Sequence, residues 1–216
     1  MKKKIFSILL IGILLIGVCG CKKKDETNNN SSSKVETVTS IRDNSIYFVS
    51  ISGKKFKAGD KLSSISKVKL SLKEKDLSQT IPKNRYLMAK SVLNSKGVEV
   101  CSFVALNDTD STIDYKDAVI GGFEVGDINY GRLSSDTLAL NIEIVGGIKL
   151  GSSYEDLVKV FGEEDFKYEA EANEKLKMPS YTTYKYSSGY KGFEFTIDDS
   201  GKVSKIHWNN YNYNED

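Results

Sequence analysis

Histidine and cysteine are scarce in this chain, which has one histidine, His207, and three cysteines, Cys19, Cys21 and Cys101. That scarcity leaves no zinc-ligand spacing, and no Ser/His/Asp set or phosphate-cradling glycine loop accompanies it. Gly121-Gly122 and Gly146-Gly147 read as bulge or turn signals. Cys101 lies in "VEVCSFVAL", alternating with apolar neighbours, and reads as a buried small hydrophobe. As a nucleophile with His207 for a base it lacks an elbow, an oxyanion loop and an orienting partner. A spread-out basic surplus is also missing. The chain has 31 Lys+Arg against 29 Asp+Glu, formally +2. Three of those lysines belong to residues 1–20, without which the charge is −1. Residues 21–36 hold four lysines and three acids, so the remainder stands at about −2. Nucleic-acid binding calls for a clustered basic face; none is visible in the sequence, and no nucleic-acid partner is expected.

No apolar run is long enough to be a clear membrane span, which needs roughly 20 residues. The longest, Ile5–Val18, instead follows Lys2-Lys3-Lys4 and precedes small residues, the layout of a secretory signal over 1–20. Val18-Cys19-Gly20-Cys21 resembles the lipobox of bacterial lipoproteins: an aliphatic residue, a tolerant position, Gly or Ala, then Cys. The competing frame ending at Cys19 puts a β-branched valine where the small residue belongs. The resemblance implies lipidation of Cys21, loss of Cys19 with the signal, and attachment to the extracytoplasmic face of a cell membrane. It also implies a diacylglyceryl group, whose two chains hold far better than one. Lys22–Lys24 would then lie against headgroups. The stretch "DETNNNSSSK" has no apolar residue, so residues 21–39 are expected to be a disordered tether. The Lys/Asn/Ser-rich composition suits a Gram-positive bacterium. Only Cys101 is then left in the mature domain, which excludes an internal disulfide.

Beyond the tether two α+β units are expected, at 40–135 and 136–216, each a short helix packed on an antiparallel sheet. In the first, "SIYFVSISG" (45–53) reads as a strand. Leu62, Ile65 and Val68 mark a turn or two of helix, and a loop is expected around 73–80. "YLMAKSVL", "NSKG" and "VEVCSFVAL" read as a hairpin, and 117–125 as a further strand. In the second, Ser152 and Glu155 are placed for a capping box, Leu157 and Phe161 share a face, and Gly162 is placed to end the helix. "YTTYKYS" (181–187), "FEFTI" (193–197) and "VSKIHW" (203–208) follow as antiparallel strands. "FKAGDKLSSI" (56–65) echoes "IKLGSSYEDL" (148–157), a pattern open either to internal duplication or to two unrelated units.

Residues 147–208 resemble the small α+β unit of SmpA/OmlA (BamE-like) lipoproteins and of β-lactamase-inhibitor-like domains. Gly151, Ser152, Glu155, Leu157, Phe161, Gly162, Tyr184, Phe195, Val203 and Ile206 carry the match. The proline that often follows the helix in such units is replaced here by "GEED". The resemblance implies a protein-binding or scaffolding role toward another envelope protein, without catalysis or cofactor. A solute- or glycan-binding lipoprotein is the alternative.

Two clusters remain. Asp108, Asp110, Asp114 and Asp117 are closely spaced, but the sixth and twelfth residues counted from Asp108 are Ile113 and Val119, where an EF-hand needs Gly and Glu. A solvated turn is expected, with no metal site. Late aromatics are abundant, and Tyr184, Tyr186, Trp208, Tyr211 and Tyr213 are the candidate binding surface, since Tyr and Trp suit interfaces. The period-two spacing of Tyr184/Tyr186 and Phe193/Phe195 puts at least one set in the core.

Overall fold

Alternation of apolar and polar residues builds most of the secondary structure of this chain. The computed structural model describes residues 36–211. The signal, Cys19, Cys21, most of the tether and Tyr213 therefore lie outside the described residues. The described residues belong to one compact unit.

A short 3-10 turn, Asn44–Ile46, is capped by the Asp43 carboxylate, which accepts from Ser45 N–H. The strand expected over 45–53 is accordingly shorter: β1 is Phe48–Ile51, paired with β2, Lys54–Lys57. A 3-10 helix, Leu62–Val68, buries Leu62 and Ile65. Next come β3 (Ser71–Leu72), α1 (Glu74–Leu77, a single turn inside the expected loop) and β4 (Thr80–Ile81). The expected hairpin is present as β5 (Tyr86–Leu93) and β6 (Glu99–Leu106). After β7 (Ile113–Asp114), β8 runs Val119–Gly126. Its pairing with β6 shifts register between Val104 and Ala105, where Gly121 of β8 is the extra, bulged residue.

The second half contains α2 (Ser135–Leu138), α3 (Tyr154–Phe161), β9 (Phe166–Ala170), β10 (Tyr181–Ser188), β11 (Lys191–Asp198) and β12 (Val203–Asn209). The capping box of α3 is formed by Ser153 and Asp156, one residue later than expected. The cause is local. Ser152 O accepts from Val203 N–H and Ser152 Oγ accepts from Lys149 N–H, so Ser152 is held in the preceding turn. Gly162 ends the helix at φ 80°.

Eight strands form one antiparallel sheet in the order β3-β5-β6-β8-β12-β11-β10-β9. The two expected units therefore share a sheet, joined where β8 pairs with β12. Directly paired residues lie on one face. Phe103, Phe123, Trp208, Phe193 and Tyr186 form such a row across five strands. β1, β2, the 3-10 helix and α3 cover that face. Phe161 of α3 packs on Tyr186, Phe193 and Phe195, with ring centroids 5.0, 5.0 and 5.3 Å away. Tyr47 stacks on Phe193 at 4.9 Å and meets the edge of Trp208 at 6.0 Å. Each such side chain stabilises the fold by about 1.5–3 kcal/mol through burial.

Candidate functional site

The opposite face of the sheet has a different chemistry. Because side chains alternate, the residues between the core positions point away from it. They make a second row: Ser91, Ser102, Glu124, His207, Glu194, Lys185 and Phe166 are paired in succession from β5 to β9. None of the seven is fully buried. At the centre, Glu124 Oε2 lies 3.0 Å from Lys205 Nζ and 3.5 Å from His207 Nδ1. The His207 imidazole and the Lys205 ammonium hold the Glu124 carboxyl down to about 2, against the upward push of partial burial.

One end of this face is hollowed. A cleft of about 230 Å³ is lined by Ser91, Ser102, Glu124, Asp127, Arg132 and Thr137 among others. At the other end two aromatics stand out from the edge strand β9: Phe166 is 59% exposed and Tyr168 53%. Tyr168 is paired with Thr183 and so shares this face. The surface is thus polar in the middle, acidic and hydroxyl-lined at one side, and aromatic at the other.

Most of the aromatics expected at a binding surface lie elsewhere. Trp208 and Tyr186 are 0% and 2% exposed, so both are corrected from surface to core. The period-two argument that one aromatic set is core holds for both sets, because Tyr186 is paired with Phe193 on the covered face. Tyr184 is half-buried there, stacked at 4.5 Å on Tyr154, whose hydroxyl donates to Glu164. Tyr211 is partly exposed and stacks on Tyr86 at 4.7 Å. Sequence reasoning passed over Phe166 and Tyr168 as binding residues. Their spacing in "FKYEA" was a usable signal, but only the strand order shows that this strand is an edge.

Cys101 belongs to the core and His207 to the open face, so the sheet separates them. Burial also pushes the Cys101 thiol up to about 12. The aspartate-rich turn is organised from within by Asn107, whose Nδ2 donates to the Ile81, Pro82 and Ser111 carbonyls. Asp110 and Asp114 pair with Lys83 and Lys116. Among the described residues no three His, Cys, Asp or Glu side chains are gathered to hold a metal. The balanced overall charge concealed one feature. Lys54, Lys55, Lys61 and Lys67 line a single concavity, so a clustered basic face does exist. No family model, curated protein or solved structure matches the chain.

Proposed function

We propose that this protein is a lipid-anchored, extracytoplasmic binding module without catalytic activity, which engages another envelope protein through the open face of its sheet. The observation that carries this reading is the polar row from Ser91 to Phe166, none of it fully buried, while the other face carries most of the packed core. A broad polar surface with an aromatic rim of Phe166 and Tyr168 suits a protein partner, because aromatics give contact area at low entropic cost. Attachment through Cys21 and the resemblance of residues 147–208 to BamE-like and inhibitor-like units point the same way. Nucleic acid is not part of the proposal. The two halves are read as copies of one helix-on-sheet unit joined edge to edge, which is how so wide a face arises from a short repeat.

Crosslinking on intact cells tests the reading, comparing wild type, Cys21→Ser and the double variant Phe166→Ala/Tyr168→Ala. One dominant protein captured by wild type and lost in both variants is the expected result. Capture that ignores the rim aromatics overturns the assigned face. Lipid labelling that survives Cys21→Ser but not Cys19→Ser overturns the anchor.

The cleft beside Glu124 and Arg132 favours a second reading, a small polar solute or glycan. A ligand present at 100 times its Kd would add about 2.7 kcal/mol of stability, which a thermal-shift screen detects. A protein-binding scaffold would show no such shift.

A further inference from the structure

We propose that the lysine-lined concavity formed by β2 and the following 3-10 helix docks on anionic lipid headgroups. Residues 54–69 contain Lys54, Lys55, Lys57, Lys61, Lys67 and Lys69 but only one acid, Asp60. The fold converts this sequence density into a surface. On β2, Phe56 points inward and its neighbours Lys55 and Lys57 outward. On the 3-10 helix, Leu62 and Ile65 point inward and leave Lys61 and Lys67 outside. Lys54, Lys55, Lys61 and Lys67 then line a concavity of about 270 Å³ together with Phe56, Asp60 and Ser64.

What sets these lysines apart is that several without a carboxylate partner are gathered in one concavity, whereas eight lysines elsewhere are paired. Lys73, Lys83, Lys96, Lys116, Lys149, Lys159, Lys167 and Lys205 each have a carboxylate partner. Among the described residues Lys54, Lys57, Lys67 and Lys69 have none. Lys55 Nζ stands 3.6 Å over the Phe48 ring, and Lys61 Nζ donates to the Asp117 carbonyl. Asp60, whose Oδ2 accepts from Lys57 N–H, is the single carboxylate among the lining residues and balances only one of the four lysine charges there. Ser64 Oγ is buried at this concavity without a partner. Several cations gathered in one concavity are complementary to phosphate-bearing anions.

The position favours a membrane as the source of those anions. The concavity belongs to the layer that covers the sheet, and so does the start of the described chain, where Val38 N–H donates to Val160 O of α3. Docking through this layer leaves the opposite, open face turned toward a partner. The inference rests on the membrane-bound reading above, but its test requires neither the anchor nor a partner.

Residues 34–216 take in every buried core position among the described residues and are tested without lipidation, their folding checked by a cooperative thermal transition. They would be sedimented with vesicles of phosphatidylcholine alone, or mixed with phosphatidylglycerol. Binding to the mixed vesicles only is expected, weakening as salt shortens the reach of the field. A basic residue near an anionic bilayer is worth about fivefold in partitioning. Lys54→Glu/Lys55→Glu/Lys67→Glu should therefore lower binding by at least about a hundredfold. Lys175→Glu/Lys177→Glu/Lys202→Glu, with the same change in charge, should stay close to wild type. Unchanged thermal unfolding would show that the first variant is folded. Equal loss in both variants, or persistent binding in the first, overturns the proposal. Displacement by glycerol phosphate beyond the effect of matched sodium chloride would assign the site to a soluble phosphate and overturn lipid docking.

Discussion

Gly59 and Gly151 occupy equivalent places in the two halves of the sheet. Their φ angles are 88° and 90°. Gly59 N–H donates to Ile120 O, and Ile120 N–H returns a bond to Asp60 O, each 2.8 Å. Gly151 N–H donates to Val203 O, and Val203 N–H returns a bond to Ser152 O, again each 2.8 Å. Each loop thus clamps the beginning of the inner strand of its half, β8 or β12. Those two strands pair with each other, so β3-β5-β6-β8 from one edge mirrors β9-β10-β11-β12 from the other. The echo of "FKAGDKLSSI" in "IKLGSSYEDL" is matched by a shared hydrogen-bonded device.

Both clamps depend on a backbone conformation that glycine adopts freely and other residues resist. Gly59→Ala and Gly151→Ala should each lose about 1–2 kcal/mol. At this chain size that lowers the Tm by about 2–8 °C. The loss should be somewhat larger at Gly151, where an added Cβ meets the Tyr130 hydroxyl at 3.1 Å and Gly59 has open space. Thermal unfolding measures both. Two variants as stable as wild type would remove the clamp from the account.

Trp208 separates core from surface most sharply. It is fully buried between Tyr47 and Phe123, with centroids 6.0 and 6.3 Å away. Trp208→Ala should lose about 3–5 kcal/mol. Phe166→Ala and Tyr168→Ala, at exposed positions, should stay within about 0.5 kcal/mol of wild type. Denaturant unfolding of the three variants gives the comparison, and a Trp208→Ala cost below 1 kcal/mol would contradict the packing.

That contrast also marks how far the sequence could be read. The hairpin of β5 and β6, the strands β10 to β12 and the helix ending at Gly162 were legible, because period and turn chemistry are local. Which aromatics face solvent was not, because "VSKIHW" alternates without saying which face is covered. That depends on Tyr47 of the first half stacking on Phe193 of the second, a contact 146 positions apart in sequence. Continuity of the sheet through β8 and β12 was hidden for the same reason. The lysine density of residues 54–69 was legible, but its gathering around one concavity was not, because that depends on how β2 packs against the 3-10 helix.

Glu124 gives the open face a defined acid response. Its carboxyl is held near 2 in the folded protein, below the ordinary 4.5, so folding favours the ionised form. The resulting stability is present in full above about pH 4.5 and is lost as the pH falls toward 2. Glu124→Gln should cost about 1 kcal/mol at pH 7, the half-exposed setting reducing what a buried pair would give. Its stability should also decline less than that of wild type between pH 5 and pH 2.5. Urea unfolding at a series of pH values tests this, and parallel curves for the two proteins would show that the His207 and Lys205 contacts are inert.

Cys101 reports on the opening of the other face. Within residues 34–216 it is the only cysteine. It sits across from Val92 on the covered side of the sheet, and burial pushes its thiol up to about 12. At pH 8 almost no thiolate is present, and the side chain is 7% exposed, so a disulfide reagent must wait for the structure to open. Labelling in native buffer should therefore be slow and should accelerate in proportion to the unfolded fraction as urea is added. Two routes of opening are distinguished by the concentration dependence. β5 and the two-residue β3 lie at one edge of the sheet. Fraying of that edge would expose Cys101 at a rate insensitive to low urea, whereas global unfolding would make the rate rise steeply from the first addition. The steep dependence is expected, because Val92, Cys101 and Phe103 belong to the same core as α3 and Trp208.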